Sequence, residues 1–295
     1  MHQEGATRAG RRGSGVARLS RVRGFAAVAI FAVVWSVVIE AAPVVRVTGN
    51  ARAGDTVAPA KAPAKVPEEV PEEVSSIVGL GDSVPAGSAC DCDTFVSLIR
   101  QALATRQGTA VAADNLATGG LTTQGLLDQV DGGSATDAIG KADLVIITIG
   151  ANDFDSTSLG DDDCAGLACY KNDLARLRAN VDGILGRVRA LQTRPRSRIV
   201  VTGYWNVFLD GDSARAKGAT YVSGSDALTR AVNRTLAETA AAKGARYVDV
   251  YGPFKGDGSR DDTPLLAADG DHPNAAGHRV IADSILSALA ANGRR

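Results

Sequence analysis

The tripeptide Gly-Asp-Ser occurs twice in this chain, at 81–83 and at 211–213. A serine hydroxyl becomes a nucleophile only where a base can take its proton, and imidazole is the usual base. The chain has three histidines, His2, His272 and His278, and His2 belongs to a basic N-terminal segment. His272 lies in Asp-Gly-Asp-His-Pro-Asn (269–274), with Asp269 three residues before it. One turn of loop can bring that carboxylate back against the imidazole, where it fixes the tautomer and stabilises the imidazolium. Asp271, the immediate neighbour, reads as a loop or helix-capping residue. Pro273 suits a first helical position. His278 falls inside the helical pattern that follows and reads as a structural or surface histidine. The chemistry on offer is acyl transfer from a serine, with His272 as base and Asp269 behind it.

Acyl transfer also needs donors for the oxyanion. Asn152, in Ile-Gly-Ala-Asn-Asp-Phe (149–154), offers a side-chain N–H, with Asp153 shaping the turn. Gly119 and Gly120, in Asn-Leu-Ala-Thr-Gly-Gly (115–120), let backbone N–H groups approach a ligand closely. Each feature alone has a plainer reading, as a helix cap or as a turn.

These residues must be positioned by elements. Short Val- and Ile-rich runs at 75–80, 143–150, 198–204 and 246–251 are apolar enough for strands buried on both faces, and 111–117 is a weaker fifth. Helical patterns lie between them. The clearest is 171–192, where Leu174, Leu177, Val181, Ile184, Leu185, Val188 and Leu191 recur at helical spacing. Others cover 94–106, 121–130, 225–242 and 274–291. Alternating strands and helices give an α/β class chain, a three-layer α/β/α sandwich on a parallel sheet. Sites in such sheets form at the loops leaving the carboxyl ends of strands. Ser83 directly follows the first strand and precedes the first helix, so it passes that filter. Ser213 lies in a polar stretch beyond the fourth strand, where Gly, Asp and Ser read as turn formers. Ser83 is the expected nucleophile, with its own N–H, the Gly119–Gly120 backbone and the Asn152 side chain as candidate oxyanion donors.

The four stretches Gly-Leu-Gly-Asp-Ser, Asn-Leu-Ala-Thr-Gly-Gly, Gly-Ala-Asn-Asp and Asp-Gly-Asp-His-Pro-Asn, in this order, resemble the blocks of the GDSL, or SGNH, hydrolases. Val84 stands where the first block usually has leucine. The resemblance covers 74–295 and implies a flavodoxin-like sheet of five strands. It also implies hydrolysis of carboxylic esters or thioesters without a metal or other cofactor. Residue by residue, it implies nucleophile Ser83, base His272, orienting Asp269, and an oxyanion hole of Ser83, Gly120 and Asn152. No Gly-x-Ser-x-Gly occurs, so the elbow of the α/β-hydrolases is not the relevant template.

Aromatic residues are few, and Tyr204, Trp205 and Phe208 cluster after the fourth strand, with Phe154 after the asparagine block. They are expected to wall a substrate groove; the plain alternative is that they pack the sheet edge. Four cysteines, Cys90, Cys92, Cys164 and Cys169, suggest disulfides in an exported chain rather than a zinc site. A Cys90–Cys92 bridge closes a very tight ring, so pairing between the two segments is the expectation.

The remainder bounds location and partners. A basic segment, the apolar run Phe25–Ile39 and small residues after it read as a signal peptide over 1–42. The run is short of the roughly 20 residues of a membrane span, and an uncleaved anchor is the lesser alternative. Residues 43–73, with Ala-Pro-Ala-Lys-Ala-Pro-Ala-Lys-Val-Pro, form a semi-rigid linker, leaving 74–295 as one hydrolase domain. Residues 1–42 carry a net charge of +4 and the rest −5, with no basic stripe, which excludes nucleic acid as the expected partner. A secreted or surface-anchored monomeric esterase or lipase is expected. Its substrate would be a small or lipid ester, or an acylated polysaccharide if it is a carbohydrate deacetylase. The alternative from another class is a surface binding protein without catalysis.

Overall fold

A computed structural model of the chain describes residues 73–159 and 167–292. The segments read as signal and linker lie outside them, apart from Glu73, and so does Cys164. Among the described residues no helix is long and apolar enough to cross a membrane.

Five strands form one sheet: β1 (Ser76–Gly81), β2 (Ala112–Asn115), β3 (Leu144–Thr148), β4 (Arg198–Thr202) and β5 (Arg246–Val248). Their order is β2-β1-β3-β4-β5 and every neighbouring pair is parallel. β3, Leu-Val-Ile-Ile-Thr, is buried along its whole length, as a central strand covered on both faces must be. Both expected layers of helix are present. α2 (Phe95–Gln107) and α9 (Ala275–Asn292) pack on each other, and α3 (Thr123–Asp131), α5 (Lys171–Leu191) and α7 (Ala219–Ala242) form a second group. Leu177, Val181, Ile184, Leu185 and Val188 form the buried stripe of α5, each contributing roughly 1.5–3 kcal/mol.

The structure adds short helices: α1 (Ser83–Ala86), α4 (Thr136–Lys141), α6 (Gly211–Arg215) and α8 (Tyr251–Lys255). α6 replaces the polar loop expected at the second Gly-Asp-Ser, because the Asp210 carboxylate accepts the Gly211 N–H and caps it. α7 begins six residues before the expected 225. Its first turns hold Gly224 and serines, which obscure the pattern, and Tyr221 fixes them by donating its hydroxyl to the Phe208 carbonyl at 2.6 Å. Pro273 is not the first residue of α9. Asn274 caps that helix, its Oδ1 accepting the N–H groups of Ala276 and Gly277 at 2.8 and 3.1 Å.

The aromatic residues settle on the plain alternative. Trp205 is 1% exposed and stacks on Phe254 with ring centroids 4.8 Å apart. Phe154 and Phe208 are buried edge-to-face against each other, and Tyr204 is fully buried. These rings pack the sheet edge and do not present exposed faces to a groove. The cysteine expectation is corrected as well. Cys90 is bonded to Cys92, because Ala89 turns the loop back at φ 58° and brings the two Cα atoms to 5.2 Å.

Close packing at the end of β1 sets a steric limit. Gly81 has φ +133°, and a Cβ there would overlap the Thr148 carbonyl of β3. The conformation alone costs an L-residue roughly 1–3 kcal/mol. Gly81→Ala is therefore expected to lower the urea midpoint by the equivalent of about 2 kcal/mol or more. An unchanged midpoint would show that β1 and β3 can part there freely.

Candidate active site

The carboxyl ends of β1, β2 and β3 and the loop before α9 carry the residues singled out by the sequence. Ser83 is the first residue of α1, directly past β1. Asp82 caps that helix with its backbone extended, its Oδ1 accepting the Val84 N–H at 3.0 Å. Its other oxygen accepts the Tyr204 hydroxyl at 2.5 Å, and its N–H donates to the Thr148 carbonyl at 3.1 Å. Asp82 is wholly buried, and burial pushes its carboxyl up to about 6 against the lowering effect of the Tyr204 bond. This buried pair was missed in the sequence, where the only hint is that Asp82 directly precedes Ser83.

The glycine block is held against β1. The chain continues the β2 pairing through Leu116 N–H to the Gly79 carbonyl (2.8 Å) and Thr118 N–H to the Gly81 carbonyl (2.9 Å). Gly120 follows with φ +76° and open space where a Cβ would stand. Asn152 lies in a single 3-10 turn after β3 and donates one amide hydrogen to the Leu121 carbonyl at 3.0 Å. That bond ties the asparagine to the glycine loop and leaves its second N–H for a ligand. Asp153 accepts the Thr123 N–H at 2.9 Å and the Thr123 hydroxyl, fixing the start of α3.

His272 sits on the turn between Leu266 and Pro273, which pair as an antiparallel bridge. Its Nδ1 and Asp269 Oδ2 are 2.8 Å apart, and Asp269 Oδ1 accepts the His272 N–H at 3.2 Å. Asp271, read from sequence as a loop or capping residue, also places Oδ1 2.9 Å from the same ring nitrogen. One ring N–H can point at one oxygen only, and Asp269, already tied to the His272 backbone, is the pre-set acceptor. Asp271 close to the ring and the Asp269 bond outweigh desolvation and raise the imidazole to about 9. Burial pushes Asp269 up, but the hydrogen bonds from His272 and the Asp271 N–H leave it below the usual carboxylate range.

His278 is buried, with its Nδ1 accepting the Phe95 N–H at 3.2 Å, and it faces the Cys90–Cys92 pair. That group and Asp269–Asp271–His272 are two clusters of metal-ligating types among the described residues. In the first the sulfurs are bonded to each other and the Nδ1 lone pair is occupied; in the second Nδ1 is engaged by the carboxylates. A depression lined by Tyr247, Asp249, Pro253 and Asp283 contains none of the residues singled out from sequence. Ser83 instead is half-buried at the end of β1, and Gly120, Asn152 and Asp269 are exposed.

The profile of the GDSL-like Lipase/Acylhydrolase family matches residues 80–280. Among solved structures, a lipase from a goat rumen metagenome is similar over 72% of this chain and 96% of its own, with 21% identity and a TM-score of 0.56. An extracellular lipase from Streptomyces rimosus matches over 71% of this chain and 99% of its own (21% identity, TM-score 0.55). A variant of an acetyl xylan esterase from Geobacillus stearothermophilus matches over 73% and 94% (17% identity, TM-score 0.53). No curated protein matches. At these identities the structures speak to the fold alone. The family match covers more than half of the chain and all four blocks except Gly79, which opens the first, and on it this chain belongs to the GDSL-like lipase/acylhydrolase family, as a carboxylic ester hydrolase.

Proposed function

We propose that the chain hydrolyses short-acyl esters, acetyl esters foremost, through an acyl-enzyme on Ser83. The observation that carries the mechanism is the His272 loop, where two carboxylates address one ring nitrogen. With its Nδ1–H held by Asp269, the imidazole presents Nε2 as the base. Ser83 Oγ attacks the ester carbonyl as His272 takes its proton. The N–H groups of Ser83 and Gly120 and the free Asn152 amide hydrogen receive the oxyanion, each donor being worth about 2.7–4 kcal/mol. Collapse expels the alcohol with the proton from His272. Water then attacks the acyl-enzyme by the same route and releases the acid.

The short-acyl reading rests on the surroundings. The aromatic rings that could have gripped a long chain are buried, while the candidate site residues Gly120, Asn152 and Asp269 are exposed and carry no apolar side chain. A similar structure is that of an acetyl xylan esterase, so acetylated carbohydrate is the substrate class to try first. The lipase reading, favoured by the two similar lipases, predicts the opposite chain-length preference. Hydrolysis of p-nitrophenyl esters from acetate to palmitate separates the two. An optimum at acetate is expected, and one at eight or more carbons would establish the lipase. Ser83→Ala should cut kcat by at least about 10⁴-fold and abolish labelling by a fluorophosphonate; retained turnover would remove Ser83 from the chemistry.

The base must be neutral to act, so the rate should rise with pH through the titration of His272 at about 9. Asp271→Asn removes a negative charge that stabilises the imidazolium, lowers that pKa, and should move the acid limb of kcat/KM to lower pH. A limb that stays in place would show that Asp271 does not act on His272.

Export is part of the same proposal, supported by the basic, apolar and small-residue order of 1–42 and the Pro-rich spacer after it. N-terminal sequencing of the protein recovered from culture medium should begin near Pro43. Retention of residues 1–42 on a cell-associated chain would favour the anchored form.

A further inference from the structure

We propose that Lys255 is a positioning residue for the His272 loop, acting through Asp210 and Asp262. This rests on the reading of His272 as the base. Lys255 ends α8 and is 7% exposed. Its ammonium lies 2.5 Å from Asp210 Oδ2 and 3.6 Å from Asp262 Oδ1. Both carboxylates are buried, Asp262 at 1% exposure and with neither oxygen hydrogen-bonded.

These two acids hold the loop at its beginning and at its tip. Asp262 begins it: its carbonyl accepts the Leu265 N–H at 2.8 Å, and Asn274 N–H returns to the Leu265 carbonyl at 2.9 Å. Asp210 holds the tip, donating its backbone N–H at 2.8 Å to the carbonyl of Gly270, the residue between Asp269 and Asp271. The second Gly-Asp-Ser completes the seat. Ser213 lies so close to Gly270 that a Cβ on that glycine would stand 2.7 Å from the Ser213 Cβ. Arg215, at the end of α6, reaches Asp261 at 3.3 Å and the Thr263 hydroxyl at 3.2 Å. The second Gly-Asp-Ser therefore serves the first, from beneath the loop that carries the base.

The charge arithmetic argues for placement over bulk stability. Two buried carboxylates share one ammonium, an arrangement that a well-packed apolar cluster would match or exceed in stability. A buried ion pair fixes direction and distance where apolar packing tolerates sliding, and an error of about 1 Å at a base can cost on the order of 100-fold. Lys255 thus sets the height of Gly270, and with it the direction in which Asp269 meets the imidazole.

The test uses the full chain and p-nitrophenyl acetate. Lys255→Met should lower kcat by about 10–100-fold and slow fluorophosphonate labelling of Ser83 in parallel, with KM changed by less than about threefold. Lys255→Arg, which keeps the charge, should recover most of both. A folded Lys255→Met protein with wild-type kcat, or one that loses thermal stability while kcat holds, would overturn the proposal and leave His272 as base untouched. A wild-type chain that never labels at Ser83 would instead sink the underlying reading. Should Lys255→Met fail to fold, Asp210→Asn decides. It weakens the Lys255 contact and keeps the Asp210 N–H to Gly270, and an unchanged kcat there would overturn the proposal equally.

Discussion

The Asp82 carboxylate joins three parts of the protein that the rest of the site takes its bearings from. It caps α1 through Val84, it accepts the Tyr204 hydroxyl beyond β4, and its N–H is fixed on Thr148 of β3. Tyr204 is in turn clamped by Asn233 of α7, which exchanges two hydrogen bonds of 2.9 and 2.8 Å with its backbone. The residue before Ser83, the proposed nucleophile, is thereby tied to the end of β3 and to the segment that follows β4. Desolvating this carboxylate is costly, as its rise to about 6 records, and the cost is borne where Ser83 needs a fixed backbone.

From that fixed point the donors fall into place by ordinary backbone pairing. The glycine loop continues the hydrogen bonding of β2 to β1, and the Asn152 amide is aimed by the Leu121 carbonyl of that same loop. In the proposed mechanism the sheet thus supplies the oxyanion donors from a loop held by bonds made before any substrate arrives. Such prior alignment is what gives electrostatic stabilisation its strength, since no reorganisation is required during reaction.

The proposed base, His272, is held differently. No strand carries His272; its loop is a bridge of two residues, a cap at Asn274, and buried ionic contacts from α6 and α8. Two carboxylates near one imidazole nitrogen push it far above its ordinary value, which favours the imidazolium form. In the proposed mechanism the same effect withholds the neutral base at low pH, so the loop exchanges acid-side activity for stabilisation of the charged intermediate.

Much of this was legible in the chain. The period of Val and Ile runs gave five strands, the helical stripe of α5 was read to within a residue, and the serine, glycine, asparagine and histidine blocks each fell at a strand end or at the last helix. Local sequence determines these features because burial of both strand faces, helical spacing and turn chemistry leave one-dimensional traces. Contacts between distant segments leave none. That Trp205 would stack on Phe254 and not face a ligand, or that Ala89 would fold Cys92 back onto Cys90, depended on packing and loop conformation. Nothing near Lys255 in the sequence announces Asp210, 45 residues away, or the loop they hold together. The sequence by itself determined which residue types stand at the strand ends and before the last helix; the tertiary structure decided which buried charges meet, because electrostatic partners are chosen by proximity in space.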